Sequence, residues 1–217
     1  MRGAVFFDLD GTLTDPKIGI TRCIQYALDA MGAQVPEADT LLWCIGPPLL
    51  ESFTKLVGEA QAATAVSAYR ERFAELGWRE NTPYQGIESI LGELQAQGTP
   101  LYVATSKPHM YARKILEHFD LQQYFIALYG AELDGTRSAK TELLAHALQD
   151  SKHSGSSATM IGDRLHDVHG ALANDMQMVG VSYGYGSVNE LQDAGAHQIV
   201  HSPAELLSLL IQQEPKV

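Results

Sequence analysis

The stretch that most constrains this chain is residues 5–10, in which an apolar run ends in two aspartates. Val5, Phe6 and Phe7 are β-branched or aromatic and follow one another without a polar residue between them. An uninterrupted apolar run of this kind is typical of a strand buried on both faces, as in a parallel α/β sheet. Asp8 then lies at the carboxyl end of the strand, the edge at which ligands bind in open α/β sheets.

Asp8 and Asp10 are one residue apart, and two ionised carboxylates this close repel one another. A hard divalent cation between or beside them is the simplest way to offset that repulsion. Gly11 lets the backbone turn tightly and approach a ligand closely. An acidic turn after a strand would explain the same residues without any chemistry. A calcium loop of the EF-hand kind is excluded, because it requires a further acidic or amide position before its glycine and a helix in front.

The composition is that of an ordinary globular protein, with 217 residues of which 45% are hydrophobic and 19% charged. This length holds one large domain, or a core domain with a smaller inserted one. A formal net charge of -11 disfavours binding to nucleic acid or to an anionic membrane, which requires a basic patch. A phosphorylated small molecule stays possible, because a metal and one lysine make a local site positive.

The cysteines, and the lack of a signal peptide or membrane-spanning segment in the sequence, indicate the cellular compartment. Cys23 and Cys44 have no CxxC spacing and are typical of buried thiols in a reducing environment. The first four residues lead directly into the first strand, which leaves no room for a signal peptide. No stretch of the sequence approaches the roughly 20 apolar residues of a membrane span. We therefore expect a cytoplasmic protein.

The segment that follows the first motif is predicted to be entirely helical. Apolar residues recur at helical spacing from Ile18 to Met31, and Gly32 marks the end of that helix. Turn-rich residues 81–86 lead back out of the segment. Residues 16–81 are therefore predicted to form an inserted all-helical domain, with further helices over residues 37–45, 49–57 and 60–76.

The rest of the chain alternates between helix and strand patterns. Regular alternation of this kind predicts an α/β fold with a doubly wound, mostly parallel sheet and right-handed crossovers, built from residues 1–15 and 82–217. The predicted strands after the insertion are residues 101–105, 126–129, 158–161, 177–181 and 199–200. The predicted helices are residues 87–97, 110–119, 139–149, 165–174 and 203–211.

Two further stretches carry groups that suit an anion. Thr105 ends a predicted strand, and its hydroxyl and the amide of Ser106 are possible hydrogen-bond donors. Taken alone, the position is slightly better explained by a Ser/Thr turn. Lys140 opens a predicted helix, where a lysine is unfavourable for the helix macrodipole. That position requires an anionic partner, unless Lys140 is simply a solvated surface residue.

Asp163 and Asp167 follow the predicted strand over residues 158–161. Asp163 alone would be explained as a helix N-cap. Asp167 lies four residues later, on the same face once the helix has begun. The two aspartates together are better interpreted as a metal ligand and a residue that supports it.

Four stretches, in this order along the chain, resemble the loop motifs of the haloacid dehalogenase (HAD) superfamily: Asp8-Leu9-Asp10-Gly11-Thr12-Leu13, Thr105, Lys140 and Gly162-Asp163-Arg164-Leu165-His166-Asp167. The resemblance covers essentially the whole chain. The helical insertion resembles the C1-type cap, and the most similar subgroup is the phosphoglycolate-phosphatase-like one. The resemblance implies a Rossmann-like core, Mg²⁺ dependence and hydrolysis of phosphate monoesters. A dehalogenase is disfavoured, because that branch lacks the aspartate at the position of Asp10.

The resemblance also implies how the carboxylates act. Asp8 would be the nucleophile that forms an aspartyl-phosphate. Asp10 would protonate the leaving alkoxide and then activate water. Mg²⁺ would be held by the Asp8 carboxylate, the backbone carbonyl of Asp10 and Asp163, in keeping with its preference for few protein oxygens.

The resemblance implies that the remaining matched residues contact the phosphoryl group. Thr105, Ser106, Lys140 and the loop amides of residues 9–11 would surround its oxygens and neutralise transition-state charge. Asp167 would orient Lys140 or a water on the metal. The histidines, including His166 and His169, have no metal-ligand spacing and are interpreted as surface residues.

The motifs do not identify the leaving group of the substrate. In capped members of the superfamily the inserted domain supplies this specificity. Arg22 and the loop that begins at Gly46 are the candidates. Arg22 suits the carboxylate of 2-phosphoglycolate, the preferred substrate, but it equally suits a glutamate of its own domain. A nucleoside 5'-monophosphate is the main alternative substrate, and a sugar phosphate the third. We expect a monomer or homodimer.

Three other function classes are less well supported. A phosphomutase uses a similar pair of aspartates. A receiver-type phospho-acceptor module also uses Mg²⁺ and an aspartyl-phosphate, but the helical insertion and Asp10 argue against it, because a receiver holds its phosphate. A binding domain without activity is disfavoured by the complete set of motifs. Gly184-Tyr185-Gly186 is predicted to be a flexible loop near the active edge, and it lacks the GxGxxG pattern of a dinucleotide site.

Overall fold

The computed structural model describes residues 3–212, so residues 1–2 and 213–217 of the predicted core domain lie outside the described residues. The chain divides into two compact units, one of residues 1–14 with 83–217 and one of residues 15–82. The predicted domain boundaries differ from this division by one residue. We refer to residues 1–14 and 83–217 as the core unit and to residues 15–82 as the helical unit.

The strands are numbered in chain order. They are β1 Ala4–Phe7, β2 Thr14–Asp15, β3 Thr82–Pro83, β4 Leu101–Pro108, β5 Ala127–Ala131, β6 Ala158–Gly162, β7 Gln177–Val181 and β8 Gln198–Val200. The helices are α1 Lys17–Ala30, α2 Leu49–Val57, α3 Glu59–Glu75, α4 Ile87–Ala96, α5 His109–His118, α6 Lys140–Ser151, α7 Leu165–Ala173, α8 Val188–Asp193 and α9 Pro203–Gln212. Short 3₁₀ helices cover Ala38–Cys44, Gly77–Arg79, Gln122–Tyr124 and Gly155–Ser157.

The core unit is built on a six-stranded sheet in the order β5-β4-β1-β6-β7-β8. Every described pair of neighbouring strands in it is parallel. From β1 the chain proceeds outward to β4 and β5, and it then returns to β6 on the opposite side of β1. A crevice at the carboxyl edge beside β1 is therefore expected, because ligands bind where the strand order reverses. The predicted doubly wound α/β fold is confirmed.

One face of the sheet is closed by α6 and α7. Phe6, Tyr102 and Met160 come from three adjacent strands and pack with Leu143 and Val168 of these helices. The rings of Phe6 and Tyr102 are stacked with their centroids 4.8 Å apart. Since side chains alternate along a strand, Phe7 points to the opposite face, where its ring lies edge-on to that of Phe125. β1 is thus buried on both faces, as its apolar run predicts.

The helical unit has its own apolar core. Helix α1 contacts α3, and α2 packs along α3. The rings of Phe53 and Phe73 lie on either side of Tyr69, at centroid distances of 6.1 and 5.5 Å. Cys23 and Cys44 are both buried thiols, as predicted, and neither forms a disulfide within residues 3–212. Outside these helices, β2 and β3 pair with one another in a separate two-stranded sheet.

Three local predictions differ from the structure. Residues 37–45, predicted to be α-helical, form a 3₁₀ helix over Ala38–Cys44. Strand β4 does not end at Thr105 but continues to Pro108 through a register shift, which accommodates a proline because the ladder is interrupted there. Helix α8 is not predicted, because six residues are too few for a helical period to show. Among residues 3–212, no helix is long and apolar enough to cross a membrane.

The stacked Phe6 ring yields a prediction about stability. Phe6 is fully buried, so Phe6→Ala removes an aromatic side chain and leaves a cavity that the sheet and α6 cannot fill. We expect the free energy of unfolding to fall by about 3–5 kcal/mol in urea unfolding followed by circular dichroism. Ile126→Ala is the control, because Ile126 is 67% exposed and its loss creates no cavity. Equal stability of the two variants would contradict this account of the core.

Candidate active site

Asp8 follows β1 directly, and both backbone groups and the side chain of Lys140 hold it in place. Its amide donates to the carbonyl of Ile161 at 2.9 Å, which continues the β1–β6 ladder by one residue. Carboxylate oxygen Oδ1 accepts from the amide of Leu9 at 2.7 Å and lies 3.1 Å from Nζ of Lys140. These contacts fix the direction of the carboxylate, whose side chain is 13% exposed.

Lys140 is the first residue of α6, and its ammonium group is buried among oxygen atoms. Nζ lies 2.7 Å from Oδ1 of Asp167 and 3.1 Å from Oδ1 of Asp8, and it donates to the carbonyl of Ala104 at 2.9 Å. Burial acts to lower the pKa of Lys140, but the carboxylates of Asp167 and Asp8 outweigh it and raise that pKa. The predicted anionic partner of this lysine is therefore present, and a solvated surface position is ruled out.

Asp10 is paired with Lys107, a residue that the sequence did not identify. The two side chains form an ion pair in which Asp10 is 15% and Lys107 only 5% exposed. Burial raises the pKa of Asp10, although the neighbouring Lys107 acts in the opposite direction. Lys107 reaches the site through the register shift near the end of β4, which no local sequence pattern shows.

Thr105 is the last residue of β4 before that shift, and Ser106 lies within it. Thr105 is 2% exposed, and its hydroxyl oxygen accepts from the amide of Lys107 at 3.2 Å. The hydroxyl hydrogen of Thr105 is thereby left to donate elsewhere. Ser106 is half-buried beside it. Because β4 neighbours β1 in the sheet, both residues belong to the edge that carries Asp8.

Asp163 leaves β6 on the other side of β1 and is fully buried. Oδ2 accepts from the amide of Tyr185 at 2.7 Å, whereas Oδ1 has no hydrogen-bond partner among residues 3–212. Burial raises its pKa well above the usual range, and the charges of Asp167 and Asp8 add to that rise. The N-cap residue of α7 is Arg164, so Asp163 is not a simple helix cap.

Asp167 lies in the first turn of α7 and is 1% exposed. Its Oδ2 accepts from the amide of Arg164 at 3.1 Å, and its Oδ1 contacts Lys140. Burial raises the pKa of Asp167, and the ammonium of Lys140 limits the rise. Asp167 therefore contacts Lys140 directly, which is one of the two roles expected for it.

The acidic side chains of this edge fit a divalent cation. Asp8, Asp163 and Asp167 each offer a carboxylate oxygen, and these oxygens lie within 4.8 Å of one another. With Asp10 there are four carboxylates against Lys107 and Lys140, an excess of negative charge if all are ionised. The buried Oδ1 of Asp163 has no partner in the described part of the chain, so it is available as a ligand. Hard oxygen donors of this kind are those that Mg²⁺ prefers.

Gly11 and Gly170 leave space for these charged groups. The φ of Gly11 is +81°, and a Cβ there would overlap the carboxylate of Asp163. A Cβ on Gly170 would lie 2.7 Å from Cγ of Lys140, so the glycine lets the lysine stem pass along α7. The turn expected at Gly11 is thus confirmed. The glycine both adopts a positive φ and lets the backbone approach the Asp163 carboxylate closely.

The two candidate substrate residues of the insertion belong to the helical unit. Nη1 of Arg22 lies 2.9 Å from Oε1 of Glu80, a glutamate of the same unit. Arg72 also binds Glu80, at 2.7 Å, and the side chain of Arg22 stays 58% exposed. Gly46 has a φ of +108° and follows the 3₁₀ helix that ends at Cys44.

The histidines contribute little to this group of carboxylates. His166, close to Asp167 in sequence, is half-buried, and His169 is exposed. Among the described residues, the acidic group that could hold a metal ion contains no histidine. His197 has a structural role, since its Nδ1 accepts from the amide of Met178 at 3.0 Å.

Comparison with known proteins identifies the family. The sequence model described as haloacid dehalogenase-like hydrolase matches residues 5–181. A 5'-nucleotidase of Pseudomonas aeruginosa is 48% identical, over 94% of this chain and 92% of its own length. A tyrosine-protein kinase, PtkA, of Mycobacterium tuberculosis is 39% identical, over 91% of this chain and 68% of its own length.

Further matches agree on the fold and the class of enzyme. The crystal structure of a predicted phosphatase from Clostridium acetobutylicum superposes with a TM-score of 0.93 at 42% identity, over 98% of this chain and 99% of that one. A phosphoglycolate phosphatase of Cupriavidus necator is 28% identical, over 95% of this chain and 92% of its own length. This chain belongs to the haloacid dehalogenase-like hydrolase family, and it is a phosphatase of that family.

The buried position of Lys140 yields a prediction about stability and pH. Lys140→Met leaves Asp8 and Asp167 without their cation, so the pKa of Asp167, which burial already raises, rises further above that of the unfolded chain. A carboxyl whose pKa is raised in the folded state destabilises the fold once the pH exceeds its pKa in the unfolded chain, and the cost grows with pH until the folded state ionises too. We therefore expect a loss of about 3–5 kcal/mol near pH 8 and a smaller loss near pH 5, in urea unfolding without divalent cations.

Lys17→Met is the control for this measurement. Lys17 pairs with Asp39 at 2.7 Å, but the two side chains are 39% and 80% exposed. Exposed ion pairs contribute little, so this variant should unfold like the unaltered protein at both pH values. A pH-independent loss in Lys140→Met would contradict the assignment of a buried ion pair.

Proposed function

We propose that this phosphatase hydrolyses nucleoside 5'-monophosphates, with Mg²⁺ and through an aspartyl-phosphate on Asp8. The observation that supports the chemistry is the oriented Asp8 carboxylate beside the buried Lys140 ammonium, at the sheet edge where Asp10 and Asp163 also lie. The observation that supports the substrate is the 48% identity to a 5'-nucleotidase.

Asp8 is proposed as the nucleophile because its geometry is set before the substrate arrives. Oδ1 is occupied by the Leu9 amide and by Lys140. The other carboxylate oxygen, Oδ2, is proposed to attack phosphorus. Attack forms the Oδ–P bond as the ester P–O bond breaks, and water then cleaves the acyl phosphate.

Asp10 is proposed as the general acid and base. The departing alkoxide requires a proton, and a carboxyl whose pKa is raised by burial is able to carry one. Asp10 donates this proton to the leaving oxygen and later recovers one from the attacking water. Lys107 holds the Asp10 side chain in place through both steps.

The phosphoryl oxygens are proposed to bind beside β4. The Thr105 hydroxyl, the Ser106 amide and Nζ of Lys140 are donors at this edge, and Lys140 carries a full positive charge. Preorganised donors stabilise the charge of the transition state because they need no reorganisation when it forms.

Asp8, Asp163 and the backbone carbonyl of Asp10 are proposed to hold Mg²⁺. When bound, the ion supplies positive charge to the phosphoryl oxygens. Asp167 is proposed to keep Lys140 in position rather than to bind the ion, since its Oδ1 already contacts the ammonium group.

The helical unit is proposed to be a C1-type cap that recognises the leaving group. Two points move the preferred substrate from 2-phosphoglycolate to a nucleotide. The phosphoglycolate phosphatase of Cupriavidus necator shares less identity with the chain than the 5'-nucleotidase does. Arg22, the residue that favoured a carboxylated substrate, is already paired with Glu80.

A carboxylated substrate remains the second candidate on one observation. Arg22 and Arg72 share the single carboxylate of Glu80, so the three charges sum to a net positive one. The exposed guanidinium of Arg22 can therefore bind a second anion. We propose Arg22 and the Gly46 loop as contacts to the leaving group, and a small phosphorylated metabolite as the partner.

The first activity prediction concerns the nucleophile. Asp8→Asn keeps the shape of the side chain but removes its nucleophilic oxygen, so phosphate release should fall on the order of 1,000-fold or more. Asp10→Asn should also be severely impaired. Asp39→Asn, the same change at an 80% exposed position, should retain activity. Mg²⁺-dependent turnover by Asp8→Asn at the unaltered rate would disprove the mechanism.

The second activity prediction concerns the substrate. A panel of nucleoside 5'-monophosphates, ribose 5-phosphate, 2-phosphoglycolate and p-nitrophenyl phosphate should be ranked by kcat/KM. Ribose 5-phosphate is the matched comparison, since it retains the sugar and lacks the base. We expect at least one nucleotide to exceed it by about 10-fold or more. Equal values would indicate a sugar phosphatase instead.

Arg22→Ala tests the second candidate within the same panel. We expect kcat/KM for 2-phosphoglycolate to fall while that for p-nitrophenyl phosphate is retained, because only the former offers a carboxylate to the guanidinium. Arg79→Ala is the control, since Arg79 stacks on Trp78 in the same unit. A uniform loss for every substrate would show that Arg22 supports the helical unit and does not select substrates.

A further inference from the structure

The connection from β7 to α8, residues 182–187, and the first turn of α8 pack against the loop that carries Asp163. The amide of Tyr185 donates to Oδ2 of Asp163 at 2.7 Å. A Cβ at Gly184 would lie 2.5 Å from Cβ of Asp163, and one at Gly186 would overlap the Asp163 carbonyl oxygen. Only glycine permits this approach at both positions. The sequence predicts a flexible loop here, yet the segment defines the space that Asp163 occupies.

Glu190 extends this contact beyond the glycines. Ser187-x-x-Glu190 has the spacing of a capping box, in which the glutamate returns to the amide of its own N-cap residue. The serine half is present, because Oγ of Ser187 accepts from the Glu190 amide at 3.0 Å. The glutamate half is redirected: its Oε1 accepts from the amide of Leu165 and from Nε of Arg164, both at 2.9 Å.

The chain contains a second serine and glutamate at the same spacing, used differently. At the start of α9, Oγ of Ser202 accepts from the amide of Glu205 at 3.2 Å. The carboxylate of Glu205 then accepts from the amide of His201 at 2.8 Å, so it stays at its own helix. The two glutamates make the same kind of bond, but only Glu190 bonds to the loop of Asp163.

Glu190 bonds to the two residues that directly follow Asp163 in the chain. Arg164 and Leu165 are the next two residues, and Leu165 begins α7. An amide at a helix N-terminus has no partner within the helix, and a carboxylate there is favourable. The Tyr185 amide holds Oδ2 of Asp163, whereas Oδ1 has no partner among residues 3–212. The direction of Oδ1 therefore also depends on how the backbone that carries Asp163 is held.

We propose that Glu190 is a positioning residue for Asp163, which holds the aspartate in place for a divalent cation through the first turn of α7. The proposal rests on the proposed function, because it requires Asp163 to be a metal ligand. Residues that orient ligands in this way affect metal affinity without touching the metal.

The experiment measures binding rather than turnover. The full chain, freed of divalent cations, is titrated with Mn²⁺, and unbound Mn²⁺ is followed by electron paramagnetic resonance. We expect Glu190→Ala to raise the Kd for Mn²⁺ about 10-fold, the lower end of the effect of removing such a partner. Glu190→Gln retains an oxygen acceptor and should restore most of the affinity.

Glu205→Ala is the matched control, since it also removes a carboxylate that binds a backbone amide at a helix start. Its Kd for Mn²⁺ should equal that of the unaltered protein, while both alanine variants should lose similar thermal stability. If Glu190→Ala does not fold, Glu190→Asp replaces it. The shorter side chain keeps its charge but moves the carboxylate away from the Leu165 amide. That variant should also bind Mn²⁺ more weakly.

The outcomes separate this proposal from the proposed function. A Kd for Glu190→Ala equal to that of Glu205→Ala would overturn the positioning role, while Mn²⁺ binding by the unaltered protein still supports the metal site. Absence of Mn²⁺ binding by the unaltered protein would overturn both. A raised Kd in Glu190→Ala alone, restored in Glu190→Gln, is the expected result.

Discussion

The buried ammonium of Lys140, held between Asp8 and Asp167, is the interaction on which the rest of the site depends. Removing a charge from water is costly unless its partners are close and well placed. Here two carboxylates and the carbonyl of Ala104 surround it, so β1, β4, α6 and α7 are joined at one atom. The same contacts that offset the cost of burial fix the direction of the Asp8 carboxylate.

This arrangement reconciles a strongly acidic chain with an anionic substrate. The net charge of the protein is -11, yet Lys140 and Lys107 place two positive charges at the edge of the sheet. The carboxylates around them leave an excess of negative charge, which a divalent cation would offset. With such a cation bound, a phosphate group would encounter a local field unlike that of the acidic surface as a whole.

The chemistry and the choice of substrate are separate problems in this molecule. Every phosphate monoester offers the same phosphoryl group, so under the proposed mechanism Asp8, Asp10 and Lys140 would act on all of them alike. Discrimination requires contacts to the leaving group, for which the candidates lie in the helical unit. Two relatives of this chain, at 48% and 39% identity, are named for different activities, a 5'-nucleotidase and a tyrosine-protein kinase.

Residues 5–13 and the motifs that resemble a known family determined the fold class and most of the candidate site from sequence alone. The reason is local: a run of apolar β-branched and aromatic residues predicts a buried strand, and parallel strands bring their carboxyl ends to one edge. The order of residues along the chain is therefore sufficient to place Asp8, Asp10 and Asp163 together. A lysine at a helix start requires an anion unless it is solvated, and for Lys140 the resemblance to the family favoured the anion.

Only the tertiary structure determined the features of the site that depend on contacts between residues distant in the sequence. Lys107 meets Asp10 only because β4 shifts register before Pro108, and the spacing of the sequence does not show such a shift. Glu190 and Glu205 have the same local pattern, yet one bonds across to α7 and the other to its own helix. A short motif records which groups can form hydrogen bonds, whereas packing determines which partner is within reach.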